Sequence, residues 1–200
     1  MARHRTGAEA REAREARRER HASETDPAVV LNAAARFLEL RSRSVDEVRR
    51  HLTEASFPSE LIESAIDRLL EIGVLDDEVF ARLWVESRDR SKPRGQIALR
   101  RELALKGIDR ETVETVLAER AETAQAGEAG DGEWPPETGN ADEAAAARLL
   151  AKNRSALQRI ADLRARRARA YALLARNGFD PDVCREVSAR FTDKETDAQD

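Results

Sequence analysis

Apolar residues recur along most of this chain at the three- and four-residue spacing of an α-helix. Leu31, Ala34, Ala35 and Leu38 mark a first helix. Ser44-Val-Asp-Glu47 has the form of a capping box, in which Ser44 accepts from the Glu47 amide and Glu47 reaches back. A second helix follows, with Val48 and Leu52 on one face, and then a third with Leu61, Ile62, Ile66, Leu69 and Leu70. Gly73 fits the position just past its end. Asp76-Asp77 supplies a cap and a dipole-matched acid for the next helix, whose expected buried stripe is Val79, Phe80, Leu83 and Trp84. Arg90-Ser-Lys-Pro-Arg-Gly95 breaks it. Ile97 to Lys106 predicts another helix, and Asp109 caps one with Val113, Val116 and Leu117 inward. Further on, Ala144–Ala147 with Leu149-Leu150 begin a third group, and a long basic helix is expected from about Leu157 to Asn177. Asp180-Pro181 matches an N-cap followed by proline at the first helical position.

One junction occurs three times. Leu52, Phe57 and Ile62 have the same five-residue spacing as Leu103, Ile108 and Val113, and as Leu174, Phe179 and Cys184. Such a pattern signals one supersecondary unit used repeatedly. Gly107 and Gly178 precede the central apolar residue, where glycine permits a left-handed backbone at a helix end. The first unit has Ser56 in that place and Pro58 in place of the capping Asp. The chain is therefore expected to be all-α, with three tandem three-helix repeats in an elongated, curved arrangement. The repeats are assigned to residues 29–75, 76–122 and 141–191. Residues 1–28 are expected to form a disordered tail, since they carry seven arginines, six acids and almost no large apolar side chain. Residues 123–140, acidic and rich in Gly and Pro, read as a flexible insertion in which Trp134 is loosely packed or exposed. Residues 192–200 read as an acidic tail.

Composition sharpens this picture. Only 4% of the 200 residues are aromatic and 37% are charged, so the core is aliphatic and thin. A net charge of −4 hides strong segregation. Residues 88–106 carry seven basic and two acidic residues, and residues 148–176 carry nine and one. Residues 107–147 carry two basic and eleven acidic. Basic blocks can attract a polyanion even in an acidic chain, although an arginine-rich helix is equally often a solvated face. The lone cysteine, Cys184, excludes an internal disulfide and sits in the column of Ile62 and Val113, so it reads as core. No apolar run of about 18 residues predicts a membrane span. The N-terminus lacks a signal-peptide core, and a cytoplasmic monomer is expected.

The helix before each junction carries basic residues. Val48-Arg-Arg-His-Leu52 aligns with Leu99-Arg-Arg-Glu-Leu103, and Arg164, Arg166, Arg167 and Arg169 lie in the corresponding helix of the third repeat. With Arg41, Arg43, Arg49, Arg50, Arg88, Arg90, Lys92, Arg94, Arg100 and Arg101, these form the candidate partner-binding surface. His4, His21 and His51 lack metal-ligand spacing, and His51 reads as a surface helix residue. No phosphate-binding glycine loop is present. Capping explains Asp76-Asp77 more simply than a catalytic carboxylate pair. No enzyme, cofactor or metal is expected.

Several stretches together resemble the RecX family. They are Ser44-Val-Asp-Glu-Val-Arg-Arg-His-Leu52, Ile72-Gly-Val-Leu-Asp-Asp-Glu-Val-Phe-Ala-Arg-Leu-Trp84, Gly95 with Leu99-Arg-Arg-Glu-Leu-Ala-Leu-Lys-Gly-Ile108, and Ala175-Arg-Asn-Gly-Phe179. The resemblance covers residues 29–191 apart from the insertion. It implies a regulator that binds the RecA–single-stranded-DNA filament, meets DNA through that filament, and inhibits RecA ATPase and strand exchange in recombination and repair. It carries no catalytic residues. Two other readings stay open: a direct DNA-binding protein of helix-turn-helix type, and a helical adaptor with no nucleic acid. Against the former, the helix after each junction begins with acids: Glu60 and Glu63, Glu111 and Glu114, Asp182 and Glu186.

Overall fold

The computed structural model describes residues 7–126 and 140–197, in which eleven helices and no strand occur. Trp134 and most of the expected insertion lie outside the described residues. The chain divides into two compact units, residues 1–80 and 81–200.

The first unit holds α1 (Gly7–Ala22), α2 (Pro27–Leu38), α3 (Val45–Glu54) and α4 (Ser59–Glu71). Both bonds of the Ser44–Glu47 capping box are made at the start of α3. The Val45 amide at the same helix start donates to Asp77 Oδ1 at 2.9 Å. Val30, Ala34, Val48, Leu52, Phe57, Ile62, Ala65, Ile66, Leu69 and Leu75 form one buried cluster. Helix α1 departs from the expectation of a disordered tail. It buries none of its residues, as its lack of large apolar side chains demands. Its last turn is nevertheless anchored: His21 stacks on Phe57 at 4.1 Å, and its Nδ1 lies 2.9 Å from the Ala55 carbonyl oxygen.

Helix α5 (Asp77–Ser91) begins in the first unit and continues into the second. Asp76 Oδ1 accepts from the Glu78 and Val79 amides, both at 2.9 Å, as a cap should. Its buried positions are Phe80, Ala81 and Val85. Val79 and Leu83 are exposed and Trp84 is half-buried, so the stripe is rotated from the expected one.

The second unit continues with α6 (Gln96–Ala104), α7 (Arg110–Ala126), α8 (Ala141–Lys152), α9 (Arg154–Gln158), α10 (Leu163–Arg176) and α11 (Pro181–Asp197). Two boundaries differ from expectation. The long basic helix is split into α9 and α10, because the Asp162 side chain accepts from the Ala165 amide at 2.6 Å and starts a new helix. Helix α11 runs through most of the segment assigned to an acidic tail. Helices α8 to α11 share a core of alanines with Leu149, Leu150, Leu157, Leu174, Phe179, Val183, Cys184, Val187 and Phe191. Burial pushes the Cys184 thiol up to about 11, as suits a packing residue.

The repeated junction is one motif in all three places. Ser56, Gly107 and Gly178 have φ of 70°, 80° and 77°. The following amide reaches back five residues: Phe57 to Leu52 at 3.2 Å, Ile108 to Leu103 at 3.2 Å, and Phe179 to Leu174 at 3.4 Å. The left-handed residue's own amide reaches back three, to Thr53, Ala104 and Ala175. This is a Schellman cap, and its apolar pair is buried each time. The next helix is then capped by Asp109, which accepts from the Thr112 amide at 2.9 Å, and by Asp180, which accepts from the Asp182 amide at 2.8 Å. Pro58 stands at the equivalent cap in the first repeat without a side-chain bond.

In the second unit the start of α6 meets the junction of the third repeat at backbone distance. The Gly95 amide donates to the Asn177 carbonyl at 3.1 Å. A Cβ on Gly95 would lie 2.2 Å from the Gly178 carbonyl oxygen and 2.4 Å from Phe179 Cα.

Two outcomes follow for stability. Ser56→Gly raises the urea midpoint, by about 0.5–1 kcal/mol: the left-handed strain relieved, less the greater freedom of glycine when unfolded. A lower midpoint would contradict the strain. Gly95→Ala destabilises by about 1–3 kcal/mol, because backbone atoms cannot yield as a flexible side chain can. An unchanged melting temperature would contradict the close approach.

Candidate partner-binding surface

The basic residues divide into those that build the fold and those that remain open. Each of the first two repeats ties its second helix to its third by the same bridge. Arg49 donates to Glu63 through Nε at 2.8 Å and Nη2 at 3.0 Å. Arg100 donates to Glu114 through Nε at 2.8 Å and Nη2 at 2.9 Å. In each pair the hydrogen bond from the arginine holds the glutamate below the usual carboxylate range and raises the arginine. In the third repeat these places hold Tyr171 and Arg185, and the bridge is gone. Tyr171 packs against the core instead.

Several other candidates also serve structure. Arg43 lies over the Phe37 ring at 4.1 Å, and burial followed by the Arg41 charge lowers its pKa. His51 stacks on the same ring at 3.9 Å and is half-buried, rather than a plain surface residue. Burial is the main cause of its lowered pKa. Arg41 pairs with Glu47 at 3.1 Å. Arg88 donates to Glu102 at 2.6 Å and covers Trp84 at 4.3 Å, while the Trp84 indole also donates to Glu102 at 3.0 Å. Arg94 donates to Asn177 Oδ1. Arg166, expected on the surface, is 6% exposed. Its Nε donates to the Ile160 carbonyl at 2.9 Å, folding the side chain back onto the turn before α10.

The open set is smaller. Arg50 is exposed beside Asp46 at 3.0 Å. Arg90, Lys92, Arg101, Arg164, Arg167 and Arg169 are exposed and have no ion pair among the described residues. Arg50, Arg101 and the last three lie on α3, α6 and α10, the helices that precede the repeated junction. The helices after it carry an acid in the first turn, Glu60, Glu111 and Asp182, and in two of them Glu63 and Glu114 engage arginines of the preceding helix.

A buried network, not foreseen from the sequence, fixes this arrangement within the second unit. Arg120 on α7 is 8% exposed at the side chain. It donates to both oxygens of Asp89 on α5 at 2.9 Å, and to Asp142 Oδ1 on α8 at 2.6 Å. Asp142 Oδ2 accepts from the Gln96 amide that opens α6, at 2.9 Å. Burial opposes the charge on Arg120, but the hydrogen bonds and charges of the two aspartates outweigh it and its pKa is raised. Its signal in the sequence is a basic residue alone in a long acidic stretch. The network carries no candidate catalytic role, because every group in it is consumed by another.

The architecture defines a protein of tandem helical repeats, each turning from its second to its third helix through the same Schellman junction. Family models described as the first and second three-helix domains of RecX match residues 31–69 and 76–117. A regulatory protein RecX of Thermobifida fusca is 33% identical over 76% of this chain and 70% of its own length. One from Prosthecochloris aestuarii is 39% identical over 52% of this chain and 68% of its own. The chain belongs to the RecX family. A Mycolicibacterium smegmatis relative of the same name is 39% identical, and the matched part spans 47% of its length. The crystal structure of RecX from Lactobacillus salivarius superposes with a TM-score of 0.64 at 18% identity, over 82% of this chain and 95% of that one, and so supports the fold.

Arg120→Ala takes the bidentate partner from the half-buried Asp89 and a charge partner from the buried Asp142, and lowers stability by about 2–4 kcal/mol. Adding Asp89→Asn and Asp142→Asn recovers part of the loss in denaturant titration. A silent Arg120→Ala would show that the network is not structural.

Proposed function

We propose that this protein regulates the RecA–single-stranded-DNA filament, lowering RecA ATPase and strand exchange without catalysing a reaction itself. Membership of a family whose relatives are named regulatory proteins supports this. The observation that carries it is the sorting of charge between helices. Among the described residues, the candidate cations with no ion pair include Arg101 on α6 and Arg164, Arg167 and Arg169 on α10, whereas the first turn of α4 carries Glu60 and that of α7 carries Glu111 beside Arg110. A helix-turn-helix reader would present its third helix to phosphates, and here the third helices of the first two repeats carry Glu60 and Glu63, and Glu111 and Glu114, in their opening turns. The geometry therefore favours contact through the second helices. Acting on the filament, the protein would work in the cytoplasm, and it would meet DNA through that filament. No helix among the described residues is long and apolar enough to cross a membrane.

The structure selects which arginines a mutational test should change. Arg49 and Arg100 are engaged by Glu63 and Glu114, so their loss perturbs the repeats before it perturbs a partner. The variant Arg101→Ala/Arg164→Ala/Arg167→Ala/Arg169→Ala removes open charge alone. Its stability should stay within about 0.5 kcal/mol of the parent, as for exposed substitutions generally. RecA ATPase on single-stranded DNA, titrated with the parent, should fall. The variant should need roughly tenfold more protein and show a weaker salt dependence, because fewer screened charges contribute. Undiminished inhibition by the variant would contradict the assignment of the surface. No inhibition by the parent would contradict the function.

A further inference from the structure

The outer face of the second helix differs between repeats in a way the fold does not require. In the first repeat three successive turns carry the half-buried Asp46 and the exposed Arg50 and Glu54, and Arg50 pairs with Asp46 at 3.0 Å. This face is charged and partly paired within itself. The equivalent positions along α6 and its C-cap carry Ile97, Arg101 and Leu105. Ile97 is 53% exposed and Leu105 68% exposed. Arg101, between them, is exposed with no ion pair among the described residues. In the third repeat the positions are Ala168, Ala172 and Arg176. Single exposed apolar residues are ordinary. Two at i and i+8, one on the first turn of a short helix and one at its helical C-cap, replacing two carboxylates of an otherwise matching repeat, are not explained by chance exposure. The side chains lie in one line about 12 Å long, since each helical residue rises about 1.5 Å.

Resting on the filament reading, we propose that this Ile97–Arg101–Leu105 ridge docks an amphipathic helix of the protein component of the filament. That helix would carry two apolar side chains flanking a carboxylate. The chemistry selects this occupant. A phosphate chain has no use for Ile97 and Leu105. A second copy, paired symmetrically about the centre of the ridge, would set Arg101 against its own equivalent. The charges beside the ridge are already paired, Arg100 with Glu114 and Glu102 with Arg88, so Arg101 is the charge left for a partner. An apolar–cation–apolar ridge therefore asks for the complementary apolar–acid–apolar face.

The test installs the first repeat's own residues: Ile97→Asp/Leu105→Glu, with Arg101→Glu as an independent variant. Binding is measured to RecA filament on single-stranded DNA and to the bare DNA, with circular dichroism and sedimentation as controls. Both variants should keep their helicity and their affinity for bare DNA, and lose roughly tenfold or more in affinity for the filament. Filament binding equal to the parent overturns the inference and leaves the filament reading standing. So does a parallel loss of affinity for bare DNA, which would make the ridge a polyanion contact. So does a parent dimer that the variants dissolve, which would make the occupant a second copy. A parent that does not bind the filament overturns the filament reading itself, and this inference with it.

Discussion

Everything in this fold hangs on three residues with a left-handed backbone. Ser56, Gly107 and Gly178 end the second helix of their repeats and turn the chain so that an apolar residue can close the cap. Because the cap hydrogen-bonds the following amide to a carbonyl five residues back, the exit direction is fixed by local geometry. The third helix can then leave in only one direction, and the column Ile62, Val113 and Cys184 falls into each core. The same constraint is reused outside its own repeat. Gly178 can lie against the start of α6 only because neither it nor Gly95 has a side chain there.

Fixing the two helices also decides which charges are spent. With the turn set, Arg49 faces Glu63 and Arg100 faces Glu114, fourteen residues apart in each case. These are half-exposed pairs, each contributing on the order of 0–1 kcal/mol, so their main effect is to remove two arginines from the open set. Arg120 acts differently. Buried between Asp89 and Asp142, it holds α5, α7 and the start of α8 in register, and Asp142 passes that register on to α6. The third repeat has lost the arginine–glutamate bridge and relies on its alanine- and leucine-rich core, leaving Arg164, Arg167 and Arg169 of α10 open.

The legible part of the structure is the part governed by neighbours in sequence. The Ser44–Glu47 box, the Asp76, Asp109 and Asp180 caps and the three junctions all close within a few residues, so residue type and spacing suffice. Contacts between distant residues were not legible. His21 meets Phe57, Arg120 meets Asp89 and Asp142, and Gly95 meets Gly178 across long stretches of chain. The same distance explains the misread site residues. Whether Arg166 lies outward or folds onto the Ile160 carbonyl depends on a turn that Asp162 creates, and a continuous helix from Leu157 hid that turn. Helix α5 shows the remaining ambiguity. Val79 and Leu83 share a helical face as well as Phe80, Ala81 and Val85 do, and only tertiary packing selects the second set.

The central claim is that the partner meets the second helices and not the third. Hydrogen exchange of the full chain, with and without RecA filament on single-stranded DNA, reads this directly. The account predicts added protection over α6 and α10 and none over α4 and α7. Protection confined to α4 and α7 would contradict it.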